Sequence, residues 1–106
     1  MEERKFRKEK IENIIRETAA MFFETEGTRD ALVSVTRVES DDKIINTTVF
    51  ISVMPDSKEA GVMDFAKRHI NDVRKKVQAA LPSARAPFLS VEIDAGEKLA
   101  GLIERL

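Results

Sequence analysis

His69 is the only histidine among the 106 residues, and the chain has no cysteine. A zinc site draws on several histidine, cysteine or carboxylate ligands, so one histidine without thiolates is a poor start for one. His69 sits at the edge of an apolar helical stripe, where a half-buried packing role is expected of it. Glu39, Asp41 and Asp42 form an acidic cluster. Paired carboxylates perform acid–base chemistry when held at a set separation. This cluster falls in a turn, where aspartate is favoured for local reasons. Gly27, Gly61, Gly96 and Gly101 are scattered and build no phosphate loop. Ser34, Ser40, Ser52, Ser57, Ser83 and Ser90 have no base placed in sequence to activate them. The expectation is a domain with no catalytic residue, no metal site, no cofactor and no small-molecule substrate.

What stands out instead is FAKRHINDVRKK, residues 65–76, with five Lys or Arg in twelve positions. A second basic run, RKFRKEK, covers residues 4–10. A formal net charge of -1 therefore hides two basic patches on an acidic body. At about 100° per residue, with Ile70 and Val73 facing a core, Lys67, Asn71 and Arg74 share one flank. Arg68 and Lys75 then point away from the core, and Lys76 takes the other flank. Such an arc suits phosphate, which asks for charge and reach more than for exact placement. Lys43 and Lys58 lie outside both patches. Phe22, Phe23 and Phe50 fall on apolar patterns and are expected in the core. Phe6 is expected to anchor the first turn of its helix.

The elements that must carry these patches follow from periodicity. Ile11, Ile14, Ile15, Thr18 and Phe22 predict a helix from Glu3 to about Thr25, stopped at Gly27 by a left-handed glycine. ALVSVTRVES predicts a strand whose Val38 is out of phase, which a bulge would absorb. KIINTTVFISV alternates cleanly and predicts a second strand, antiparallel to the first across the ESDD turn and ended by Pro55. Asp56 or Ser57 would cap a second helix with the stripe Val62, Ala66, Ile70, Val73, Val77 and Ala80. FLSVEID predicts a third strand. A short helix from about Gly96 would use Leu99, Leu102, Ile103 and Leu106. The expected architecture is α+β, one domain over residues 1–106. Its three-stranded sheet has helices packed on one face that bury every stripe named.

Hydrophobic residues make up 42% and charged residues 35%, a folded rather than disordered balance. MEERKFRKEKIENII lacks the apolar stretch of a signal peptide, and no apolar run approaches the roughly 20 residues that span a bilayer. A soluble, cytoplasmic, monomeric protein with no membrane partner is expected.

In order and spacing, these pieces resemble a type II KH domain of the ribosome-binding factor A family. The strongest piece is LVSVTRVESDDKIINTTVFISVMPD, residues 32–56, with its Val-Thr-Arg-Val run at 35–38. A second is RAPFLSVEID, and a looser one is Thr28 to Asp30. The resemblance spans about Lys5 to Glu104. It implies a kinked crossover helix with an Ala-x-Gly signature. Ala66, Lys67 and Arg68 match that signature with arginine in place of glycine, so either other residues make the kink or the helix runs straighter.

The resemblance also implies a non-enzymatic assembly factor that binds the small ribosomal subunit and its ribosomal RNA and aids late maturation. The residues expected to carry RNA binding are Lys67, Arg68, Arg74, Lys75, Lys76 and Arg85, continued by Arg4, Lys5, Arg7 and Lys8. The alternative is a protein-interaction module docking on the open sheet face, with Thr48, Phe50 and Ser52, or on strand two as an edge, Lys43 to Met54.

Overall fold

The computed structural model describes residues 2–27, 29–81 and 84–104, with backbone alone for residues 2–6, 97, 98, 100 and 101. Helix α1, Glu2–Glu26, buries Ile11, Ile15, Ala19, Phe22 and Phe23 along one side. It stops at Gly27, whose N–H still reaches the Phe23 carbonyl. A Cβ at Gly27 would run into that carbonyl oxygen. No described glycine has a positive φ, so close approach, not the expected left-handed turn, selects glycine here.

Strands β1, Leu32–Ser40, and β2, Asn46–Met54, pair antiparallel. Val35 faces Ile51 and Arg37 faces Phe50, so Thr36 is the extra residue of a bulge. That is the slip the sequence pattern calls for, and it returns Val38 to register with Val49. The buried face of β2 is Thr47, Val49, Ile51 and Val53. Thr47 is tolerated there because its hydroxyl meets the Ser40 hydroxyl at 2.8 Å. After a 3-10 turn, Asp56–Lys58, helix α2, Glu59–Ala80, crosses back over the sheet. Neither Asp56 nor Ser57 forms the expected side-chain cap; Lys58 holds the N-cap position without one. Strand β3, Phe88–Ile93, then pairs parallel with β2.

The resulting order is β1-β2-β3. This corrects the idea of strand two as an exposed docking edge. β2 is central, hydrogen-bonded on both sides, and the edges are β1 and β3. Helices α1 and α2 lie on the buried face, where Val62, Ala66, Val73, Val77 and Leu81 join Phe22, Ile15 and Ile51 in one core.

Further expectations fail. Phe50 is not in the core but half-buried on the opposite face of β2, with the Arg37 guanidinium 4.0 Å over its ring, and Ala80 at the end of the α2 stripe is exposed. Helix α2 is uninterrupted through Ala66, Lys67 and Arg68, so no break in the helix stands at the position of the Ala-x-Gly signature. Arginine loses little in a helix interior and lacks the backbone freedom that glycine would bring to a break. Helix α3, Ala95–Glu104, does not bury its stripe: Leu99, Leu102 and Ile103 stay exposed, and Leu106 lies outside the described residues.

Candidate nucleic-acid interface

Three segments that lack regular structure or begin an element meet at one end of the sheet. They are the first turns of α1, the turn joining β1 to β2, and the link from α2 to β3. The turn runs from Asp41 to Ile45, later than ESDD, because Asp41 reorganises it. Its carboxylate accepts the Ile45 N–H at 2.8 Å and the Asn46 N–H at 3.3 Å. Bonds of this kind compete with ladder pairing, so Ile44 and Ile45 leave the strand their pattern suggests. Ile44 takes φ 56°, an unusual left-handed setting for a β-branched residue. The Ile45 N–H, followed by Asn46, holds the Asp41 carboxyl below its ordinary value of 3.8.

The link is held by two side chains of α2 four residues apart, hence on one face. Gln78 donates to the carbonyls of Leu81 and Ala84 at 3.2 and 2.8 Å and accepts the Ala86 N–H at 2.7 Å. Arg74 donates from Nε to the Pro87 carbonyl and from Nη2 to the Ala86 carbonyl, both at 3.0 Å. Its guanidinium also lies 4.4 Å over the Phe88 ring. The Phe88 N–H donates to the Ile45 carbonyl at 2.9 Å, which joins link and turn. Helix α1 is tied to the same turn. Glu12 accepts the Ser40 N–H at 2.8 Å, and Lys8 stands 4.0 Å from Asp42.

Between these segments lies a cleft of about 650 Å³. Its cationic lining is Arg7, Lys43, Arg74 and Arg85, against one acid, Asp42. Its apolar wall includes Ile11, Ile45, Pro87 and Phe88. A neighbouring depression of about 490 Å³ shares Arg7, Ile11 and Ala84 and adds Lys10. Members of both basic runs thus border a single concave surface, with cations outnumbering acids along it.

The structure divides the residues expected to bind RNA. Arg7, Arg74 and Arg85 share the cleft. Lys8 stands beside it at the turn. The side chains of Arg4 and Lys5 lie outside the described residues. Lys67 and Lys75 are exposed on α2, away from the cleft lining. Arg68 pairs with Asp64 at 3.4 Å. Lys76 pairs with Glu26 at 3.1 Å and lies 5.5 Å over the Phe22 ring. Exposed pairs of this kind hold weakly and leave both cations reachable. Lys43, outside both runs in sequence, lines the cleft because the turn carries it there. Only its position beside a turn-forming aspartate hinted at this.

The His69 ring lies 4.6 Å from the Phe65 ring, tilted at 43° to it, and 3.3 Å from Asp72, the partly exposed packing position expected of it. Among the described residues no three histidines, cysteines or carboxylates gather to hold a metal ion. None of the described helices is long and apolar enough to cross a membrane.

No protein-family model matches the chain, and no curated protein matches it by sequence. Among solved structures, the crystal structure of ribosome-binding factor A from Thermus thermophilus is similar to it. The TM-score is 0.67 at 14% identity, over 77% of this chain and 89% of that one. The resemblance read from the sequence therefore holds at the level of the fold: this chain has the α+β fold of ribosome-binding factor A.

Proposed function

We propose that the chain is a non-enzymatic RNA-binding protein that docks on the small ribosomal subunit and aids its late maturation. In this reading it acts as a single cytoplasmic domain and a monomer. The observation that carries the reading is the convergence of Arg7, Lys43, Arg74 and Arg85 on one cleft. The fold of a ribosome-binding factor supports it. Phosphate oxygens are the natural partners of such a lining, since they ask for several cations within reach and no fixed pairing geometry. The exposed cations of α2, Lys67, Arg68, Lys75 and Lys76, would extend contact along the ribosomal RNA backbone.

The test is co-sedimentation of the purified protein with isolated small subunits at two salt concentrations. Binding should weaken steeply with salt, because phosphate contact releases counterions. The double variant Lys43→Glu/Arg85→Glu should bind roughly tenfold more weakly or worse and show a flatter salt dependence. Lys58→Glu, beyond the cleft, should behave as the parent. Equal binding and equal salt slope in the folded double variant would sink the proposal.

A further inference from the structure

A cleft that served phosphate alone would need no apolar wall, yet this one presents exposed hydrophobic surface among its cations. Phe88 is 55% exposed and Ile45 is 49% exposed, and both line it. The Phe88 ring is also held in place. Its backbone is fixed at the start of β3, where Phe88 registers with Asn46 and its N–H donates to Ile45. Arg74 lies over the ring, and that guanidinium is itself locked by the Ala86 and Pro87 carbonyls. Arg74 covers one face of the ring, and a planar group entering the cleft would stack on the face it leaves open, an aromatic surface that does not have to be ordered first, which favours binding. The volume, about 650 Å³, is within the range of sites for ligands the size of a nucleotide.

Resting on the RNA-binding reading above, we propose that this cleft holds one unpaired nucleobase of an RNA strand against the ring of Phe88. Arg7, Lys43 and Arg85 take the flanking phosphates. Aromatic side chains accept any base face, because every base presents a π surface. Bases in a duplex keep both faces stacked and cannot offer one, so the occupant is a single-stranded segment. Charge complementarity selects a polyanion, and the exposed ring selects the part of it that is flat and apolar.

The experiment uses the full chain and a short single-stranded oligoribonucleotide with 2-aminopurine at one internal position. A duplex of the same sequence and free adenosine monophosphate serve as comparison ligands. The parent should quench the probe and bind the single strand more tightly than either comparison ligand. Phe88→Leu keeps an apolar side chain at an exposed site, and circular dichroism should report a normal fold. It should bind the single strand roughly tenfold more weakly and lose the quenching. Its salt slope should stay unchanged, since no phosphate contact is removed. Phe88→Trp should retain both affinity and quenching. Parental affinity and quenching in folded Phe88→Leu would overturn the inference, and so would equal affinity for the duplex or for the free nucleotide. If Lys43→Glu/Arg85→Glu still loses subunit binding in that case, the proposed function stands and only the base site falls.

Discussion

The Thr36 hydroxyl, set at the bulge of β1, donates to the carboxylate of Asp94 at 2.6 Å across 58 residues of chain. Asp94 is nearly buried, and Arg37 Nε reaches the same oxygen at 3.2 Å. The bulge thus aims two consecutive side chains at one carboxylate, which stands just before the first residue of α3. Asp94→Ala should destabilise the protein by about 2–4 kcal/mol, through lost charged hydrogen bonds and a lost helix-leading aspartate. Asp94→Asn keeps an acceptor and a favourable cap residue, and should cost about half as much. Urea midpoints compare the three. Equal stability of parent and alanine variant would show the network to be idle.

Arg74 and Arg85 line the same cleft but should fail differently. Arg74 is half-buried and satisfies two carbonyls of the link, so Arg74→Ala should cost about 1–3 kcal/mol. Arg85 is exposed, and Arg85→Ala should stay within about 0.5 kcal/mol. Both should weaken RNA binding. The sequence places Arg74 on a solvated flank, where its reversal would leave folding intact. Thermal melts of the two alanine variants decide which description holds.

The main buried faces and the β1–β2 hairpin were legible in this chain, and the more distant neighbours were not. The apolar stripes of α1 and α2, and even the out-of-phase Val38, follow from side-chain periods that the sequence displays directly. Strand order does not, because an alternating pattern says which side of a strand is buried and nothing about which strand lies beside it. The partners of Arg74 sit 12 and 13 residues away, across a link without periodicity. Lys43 joined the cleft through a turn whose position depends on the hydrogen bonds of Asp41, a local competition that hydrophobic alternation does not report.

The unbroken passage of α2 through Arg68 has its own test. Arg68 is exposed and paired at four residues' distance with Asp64. Arg68→Gly should cost about 1 kcal/mol, the usual penalty for glycine in an exposed helix interior. Arg68→Ala should be nearly neutral, since alanine's propensity offsets a weak pair. Denaturant unfolding of both variants checks this. A glycine variant as stable as the parent would mean that the backbone here favours a break.

Acid should loosen the turn that presents Lys43. The Ile45 N–H holds the ionised form of Asp41, which keeps its folded-state carboxyl below the ordinary 3.8. With a depressed folded-state value, the stabilisation is fully present above the unfolded value. It is lost as pH falls through the lowered one. Asp41→Asn leaves an acceptor without the charge, so it removes this pH-dependent part. At about pH 7 the variant should be less stable than the parent. On acidification below 3.8 the parent should lose its advantage and the two unfolding midpoints should converge. A gap between parent and Asp41→Asn that stays constant down the acid range would mean that the N–H groups bind the amide as well as the carboxylate. The charge of Asp41 would then have no part in shaping the turn.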